Sequence, residues 1–461
     1  MARLLRAAIF IAFIFSGKNA FAACHVVTPS GSGSKTGADW NNAYAGLPAT
    51  LTRGDVYYLA DGSYPAYTFN TAASGTTAVE IRKAQSYDNC TSTGWNTGTM
   101  GSSQAVMPSL TVSGSYLIVN GNGTQTTPGC GGAPAATMTT TPPPTPTDCG
   151  IAFNGTGAQQ ILVNGSSTHY TFEYIEFIGT GNNSTETFII FNGNGPLTVS
   201  HVYGHNAGCV YIQDIGNNSL VSFSYFWGTQ SGSCHGQAEF EVGGTSNGVR
   251  HDNVYRDIIG TAIWTFAQPG TGVANGWQFY NNVIWHTTTS SGQAENGVIA
   301  CINSGVQCTN FTYNQNTVIN CHYACGILDE NGNGSYTIEN NLWYLNQGYS
   351  SGGGSGSPGG VGGLPGTEDY NSSLQSGSGS IGGGAHNVVD ASASNPFVSW
   401  TTGNFNIASE NSDWTNRLAL AAPYTVDPQL IIRTTDRGAY QYSASQTKAP
   451  QPPTGLVGTV Q

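Results

Sequence analysis

The stretch of the chain richest in potential chemistry is Cys234-His-Gly-Gln-Ala-Glu-Phe-Glu-Val242. Side chains alternate along an extended strand, so a phase that buries Ala238, Phe240 and Val242 turns Glu239 and Glu241 outward, their Cα atoms about 6.5–7 Å apart. Two carboxylates so placed can divide general-acid and general-base roles across a glycosidic bond, or ligate Ca²⁺, a hard cation that takes oxygen ligands. His235 enters the same strand and can give or take a proton near neutral pH. Asp214 closes the strand one repeat earlier, where Tyr211 and Gln213 are expected to point outward, and Trp264 follows one repeat later. An aromatic ring beside carboxylates suits the apolar face of a pyranose. Arg250 and Arg256, the only arginines in the middle of the chain, can pair with a uronate carboxylate. The expected site is therefore catalytic Asp214, His235, Glu239 and Glu241, substrate-binding Tyr211, Gln213, Trp264, Arg250 and Arg256, and Ca²⁺ between the two glutamates. With only 25 acidic residues in 461, two on one strand face is an uneven allocation. The alternative is that the glutamates solvate a strand, His235 shapes a turn and Trp264 packs under a loop.

The elements that must carry these residues repeat. Segments of similar texture recur at Thr171–Phe177, Thr198–Tyr203, Val221–Phe226, Val249–Tyr255, Trp277–Ile284, Phe311–Val318 and Tyr336–Leu342, each with alternating faces. Asn253, Asn282, Asn316 and Asn341 hold the same place in the last four, at separations of 29, 34 and 25 residues. Such spacing fits one coil of a parallel β-helix per repeat. A coil of three short strands cannot bury its inward side chains alone, whereas stacked coils share one apolar column. Asn at a repeated bend can satisfy buried backbone groups and bond to the Asn of the next coil. A second strand per coil is expected at Thr187–Phe191, Cys209–Gln213, Ala238–Val242, Ala262–Thr265, Val298–Cys301 and Gly326–Asp329. A β-sandwich or propeller would instead show hairpin signals between neighbouring strands, and few are present.

Composition agrees with an all-β solenoid. Only 8% of residues are charged while 63 are glycine, a poor basis for helices and a rich one for turns. The net charge of -12 argues against nucleic acid and favours neutral sugars over a strongly anionic polymer as the polysaccharide partner. Arg3 and Arg6, an apolar run from Ala7 to Phe15 and Ala20-Phe-Ala22 read as an export signal over residues 1–22, and no later run has the roughly 20 apolar residues a membrane span needs. The protein is expected to be secreted, to the periplasm or outside the cell. Ten cysteines then read as disulfides, with Cys24–Cys90, Cys130–Cys149, Cys209–Cys234, Cys301–Cys308 and Cys321–Cys325 as the expected pairs. No CxxC pair or nearby His pair has the spacing of a zinc site.

The expected organisation is an N-terminal cap with first coils over 23–123, a Thr/Pro-rich loop insertion over 124–149 and central coils over 150–346. A flexible Gly/Ser-rich segment over 347–384, C-terminal coils over 385–447 with a last strand at Asp436–Tyr442, and a Pro-containing tail over 448–461 complete it.

The strand-Asn-Asn-strand rhythm, the opening Ala38-Asp-Trp with Gly54-Asp-Val-Tyr-Tyr-Leu59, and the closing Asp436-Arg-Gly-Ala-Tyr440 resemble secreted bacterial right-handed β-helix proteins of the pectate-lyase-like superfamily. The resemblance implies a right-handed parallel β-helix and, across its branches, lyases, hydrolases, esterases, epimerases or adhesins. The Gly-His-Gly, Asp-Asp and Arg-Ile-Lys motifs of polygalacturonase-like hydrolases are absent, and neither Arg250 nor Arg256 has the Pro-containing context of the common pectate lyases. Glu239-Phe-Glu241 resembles the calcium-holding strand of chondroitinase B and its alginate-lyase relatives, although the basic residues that follow there are replaced by Ser246, Trp264 and Thr265. A polysaccharide lyase or glycoside hydrolase working along an exposed strand face is the expectation, with a noncatalytic carbohydrate-binding, adhesive or structural surface protein as the alternative.

Overall fold

The computed structural model describes residues 22–442 except 124–128, 131–148, 166, 182–185, 215, 230–235, 243, 261, 268–271, 288–296, 303–304, 322–325, 347–363, 376–380, 382–383, 416, 420 and 434–435. Among the described residues three long sheets run side by side along the molecule, with 13, 12 and 9 strands, and every pairing within them is parallel. We name them sheets A, B and C in the order the chain visits them. One coil is, for example, Leu197–Ser200 in sheet A, Tyr203–Ala207 in sheet B and Val210–Asp214 in sheet C. The architecture is the expected right-handed parallel β-helix, filled along its axis by residues such as Phe172, Val199, Ile212, Phe226, Ile284 and Phe311.

Each recurring segment that reads as one strand is two strands joined by a sharp bend. Residues at the bend between sheets A and B adopt left-handed backbone angles: Tyr174 (φ 55°), His201 (52°), Phe223 (48°), Asp252 (56°), Asn281 (58°), Gln315 (57°) and Asn340 (59°). The residue after it points inward, and from Asn253 onward it is Asn. There each side-chain oxygen accepts from the backbone N–H of the preceding coil, at 3.2 Å for Asn253 to Asn282, 3.0 Å for Asn282 to Asn316 and 2.8 Å for Asn316 to Asn341. Asn371 and Asn387 continue the ladder and Ser224 begins it. The side-chain amides are also used: Asn316 Nδ2 donates to Phe279 O at 2.9 Å. The ladder thus satisfies bend groups that no regular sheet pairing reaches.

The ends differ from expectation. Gly366–Asp369 and Ser372–Leu374, inside the Gly/Ser-rich stretch expected to be flexible, add strands to sheets A and B because their Thr, Ser and Leu continue the alternation. Beyond Val388–Asp390 the coils stop. The chain makes one antiparallel pair, Phe397–Ser399 with Asn404–Ile407, and packs Phe397, Phe405, Trp414 and Tyr440 over the outer face of sheet B against Trp285, Ile319, Leu342 and Tyr344. Asp436–Tyr442 is part of this cover and is not a last strand. Arg437 Nη1 donates to Asn371 O at 2.7 Å, and Gly438 lies so close to sheet B that a Cβ there would meet Leu342 Cβ at 2.9 Å.

Disulfides join Cys24 to Cys90, Cys130 to Cys149 and Cys301 to Cys308. Cys209 and Cys321 are also disulfide-bonded, and their expected partners Cys234 and Cys325 lie outside the described residues. The expected export signal, the interior of the Thr/Pro-rich insertion and the C-terminal tail lie outside them as well.

Replacing Asn316 by Ala strands the N–H of Asn282 and the carbonyl of Phe279, each costing about 1–3 kcal/mol when buried and unpaired. Urea denaturation of Asn316→Ala should show a loss of at least about 2 kcal/mol, whereas Thr337→Val on the outer face of sheet A should stay within about 0.5 kcal/mol. Equal midpoints for the two variants would deny the ladder its role.

Candidate functional site

The structure does bring Asp214, Glu239, Glu241, Arg250 and Trp264 together, but inside the coil. Glu239 aligns with Ile212 and Trp264, Glu241 with Asp214 and Phe266, and all of these face the core; Phe240 aligns with Gln213 and Thr265 on the outer column. Both glutamates are 0% exposed. The expected outward phase is therefore reversed. The cause is Arg250, which occupies the inward position of its sheet A strand, in register with Val221 and Phe279. A guanidinium in the core draws carboxylates in with it.

Arg250 Nε donates to Glu239 Oε2, and Nη2 to Glu241 Oε1 at 2.7 Å, with Asp214 Oδ2 3.7 Å from Nη2. Its Nη1 reaches Ser219 Oγ at 3.1 Å and the guanidinium lies 4.7 Å over the Trp277 ring. The hydroxyl of Tyr255 (2.6 Å) and the indole N–H of Trp264 (3.2 Å) both donate to Glu239 Oε1. Burial raises the Glu241 carboxyl well above its ordinary range and raises Asp214 too, with Arg250 opposing in both cases. One cation faces three buried acids, and Asp214 and Glu241, adjacent across one strand pairing, are the two whose protonated form burial favours.

This arrangement does not suit Ca²⁺. Three of the four glutamate oxygens are taken by Arg250, Tyr255 and Trp264, and among the described residues no group of three metal-ligating side chains is placed to hold an ion. Nor can a polymer reach it. Tyr211 is likewise internal, its hydroxyl 2.6 Å from the carbonyl oxygens of Trp227 and Gly228. Gln213 does lie half-buried on the outer face of sheet C. Arg256 is on the outer side of sheet B but covered, its guanidinium 5.6 Å over Trp227 and 4.8 Å over Trp285. His235 lies outside the described residues.

A different surface gathers accessible chemistry. The outer column of sheet C runs Thr111, Leu162, Ile190, Gln213, Phe240, Thr265, Ala300 and Leu328, without a titratable group. The outer face of sheet A, by contrast, carries Glu80 and Arg82 on one strand and Asn120, Glu173, Ser200, Ser222 and His251 on the five that follow it. Around Glu173 two aromatic stacks mark the edges of the sheet. At one bend His169 stacks on Tyr116, centroids 4.5 Å apart; at the other Tyr174 stacks on His201 at 4.7 Å, and His201 on Phe223 at 5.1 Å. Between them Ile118, Thr171, Thr198, Asn120, Glu173 and Ser200 form a half-buried, mostly polar floor. The strand Tyr170–Glu173 and its flanking His169 and Tyr174 span roughly 16 Å at about 3.3 Å per residue.

Charge on this floor is locally balanced. Arg82 Nε pairs with Glu80 at 2.6 Å and Nη1 with Asp88 at 2.8 Å, Tyr58 OH donates to Asp88 at 2.8 Å, and Tyr87 stands 63% exposed beside them. The carboxyl of Glu173 accepts no hydrogen bond from a described residue. Burial, then the charge of Glu80, lifts it to about 7 against the pull of Arg82. Burial and His251 push His201 down to about 4, so its ring is neutral, with Nδ1 2.8 Å from Ser200 Oγ. Tyr174 and Glu173 stand within the first recurring segment, but no Asn aligns that coil with later ones, so no residue pattern marks their exposure.

Because Asp214 and Glu241 carry raised values in the fold, they bind protons there that the unfolded chain has released. Their stabilising contribution is complete below the ordinary carboxylate range and is lost as pH rises through their folded values. Thermal melts of the native protein should therefore fall as pH rises above about 5, and Glu241→Gln should flatten that slope. Arg250→Met leaves buried carboxylates without a counter-ion and should cost about 3–5 kcal/mol; a neutral Arg250→Met would refute the cluster.

No family model matches the chain, and no curated protein sequence matches it. Solved structures do: the chain is similar to pectate lyase Pel9A, with 12% identity and a TM-score of 0.57 over 91% of this chain and 96% of that one. A rhamnogalacturonan lyase (11% identity, TM-score 0.46, 82% of this chain and 91% of that one) and an alginate lyase from Paenibacillus sp. str. FPU-7 (14%, 0.43, 71% and 96%) also match. With its parallel sheets and Asn ladder, the chain has a right-handed parallel β-helix fold, which it shares with pectate lyase Pel9A.

Proposed function

We propose that this protein is an exported, polysaccharide-active β-helix that seats a sugar chain across the outer face of sheet A. The observation that carries the reading is the pair of aromatic stacks, Tyr116–His169 and Tyr174–His201–Phe223, at the two sides of a polar floor about one strand long. Rings at both ends supply flat apolar surface for sugar faces, and the amide of Asn120 with the hydroxyls of Thr171, Thr198 and Ser200 supplies hydrogen bonds between them. Pectate lyase Pel9A, which shares the fold across nearly its whole length, is by its name an enzyme of polysaccharide cleavage. The disulfides suit an oxidising compartment, and no helix among the described residues is long and apolar enough to cross a membrane.

Affinity electrophoresis through gels containing neutral or acidic polysaccharides tests the seating. The fold itself suggests conservative probes. Asn218 and Asn247 hold the left-handed bend of Tyr116 and His169 in later coils, and Asn281 and Asn340 that of Tyr174. Tyr116→Asn with Tyr174→Asn should therefore keep the backbone and weaken retardation at least about ten-fold, a loss of about 1.4 kcal/mol. Unchanged retardation in the double variant places the sugar elsewhere.

A further inference from the structure

We propose that Glu173 is the catalytic proton donor of a hydrolytic site on sheet A, acting on a neutral glycan; the inference rests on the seating of the sugar between the two stacks. Three features single the residue out. Glu173 is the one carboxyl on the floor between the stacks, standing on the strand whose ends are His169 and Tyr174. Every other nearby acid is engaged: Glu80 by Arg82 and Asn120, Asp88 by Tyr58, Arg82 and Asn122. Glu173 alone keeps its oxygens free of described donors, so its proton is available to a ligand rather than to the fold.

The groups facing it are consistent with a neutral, proton-bearing carboxyl. Asn120 flanks it on one strand and Ser200 on the other, with Arg82 and Glu80 beyond Asn120 and the rings of Tyr174 and His201 at the bend. With its value lifted to about 7, Glu173 keeps its proton on about half of the molecules at neutral pH and on most of them below it, the state a general acid requires. In the step, its proton passes to the glycosidic oxygen as the bond from that oxygen to the anomeric carbon breaks. A water adds to the anomeric carbon and gives its proton to Glu80, across Asn120.

The charge pattern selects the substrate class. Arg82 is committed to Glu80 and Asp88, and Arg53, behind Tyr116, donates to the carbonyls of Ser115, Tyr116 and Thr71. Among the described residues the floor offers no uncommitted cation to neutralise a uronate carboxyl, and elimination from a uronate needs that neutralisation. Hydrolysis of an uncharged glycan has no such requirement.

The test compares native protein with Glu173→Gln on a panel of neutral polysaccharides, following binding by gel retardation, new reducing ends and unsaturated products. Native protein should release reducing ends without the unsaturated chromophore, its rate falling as pH rises past about 7. Glu173→Gln should bind within about two-fold of native, release ends at least about 100-fold more slowly and lose the alkaline limb. It should also melt no lower than native protein above pH 7, because a raised carboxyl loses its stabilising contribution there. Binding with native cleavage rates in Glu173→Gln overturns the proton-donor role and leaves the seating intact. Unsaturated products overturn the hydrolytic assignment. Absence of binding to any polysaccharide by native protein overturns the seating, and this proposal with it.

Discussion

The bends between strands are the constraint on which this molecule depends. A parallel coil must turn three times and still present its backbone groups in register to the coils above and below, because no other partner is within reach. Left-handed residues at the A–B bend make the turn, and the Asn ladder from Asn253 to Asn387 supplies the hydrogen bonds that the turn would otherwise leave unmade. Once register is fixed, every position repeats about 4.8 Å along the axis, and like side chains stack on like. The aromatic stacks at Tyr116–His169 and Tyr174–His201–Phe223 follow from that repetition at the outside of the bends, as the Asn ladder does on the inside.

The same repetition explains where charge sits. A solenoid of this composition has few ionisable groups, and its core accepts them only as a neutralised set. Arg250 brings three carboxylates and two aromatic N–H or O–H donors inward, giving the column one polar layer between Phe226 and Phe279. Sheet B is sealed by the C-terminal segment through Trp414, Phe405 and Tyr440. Sheet A is left with its carboxylates, Arg82 and histidines facing outward, and in the proposed seating a polymer lying along its strands meets both stacks and a titratable acid.

The scaffold was legible because Asn253, Asn282, Asn316 and Asn341 mark one geometric position. Counting back three residues from each also reads Arg250, Phe279, Tyr313 and Ile338, which places Arg250 inside the coil beside residues of plain core type. That alignment would have turned Glu239 and Glu241 inward as its counter-ions. Hydrophobicity alone pointed the other way, since Phe240, the aromatic residue of its strand, faces out. The A–B bends were hidden inside segments that look like single strands, because bend residues such as Tyr174 and Phe223 are aromatic and continue the strand-like texture. Glu173 could not be singled out for the same reason: its environment comes from Glu80 and Arg82, some 90 residues earlier in the chain.

Hydroxyl-radical footprinting of the native protein with and without a retained polysaccharide tests most directly whether sheet A is the working face. Protection of Tyr87, His169 and Tyr174, with Phe240 and Leu162 on sheet C unchanged, is the result this account predicts. Protection of Phe240 and Leu162 with the sheet A rings still fully reactive would contradict it.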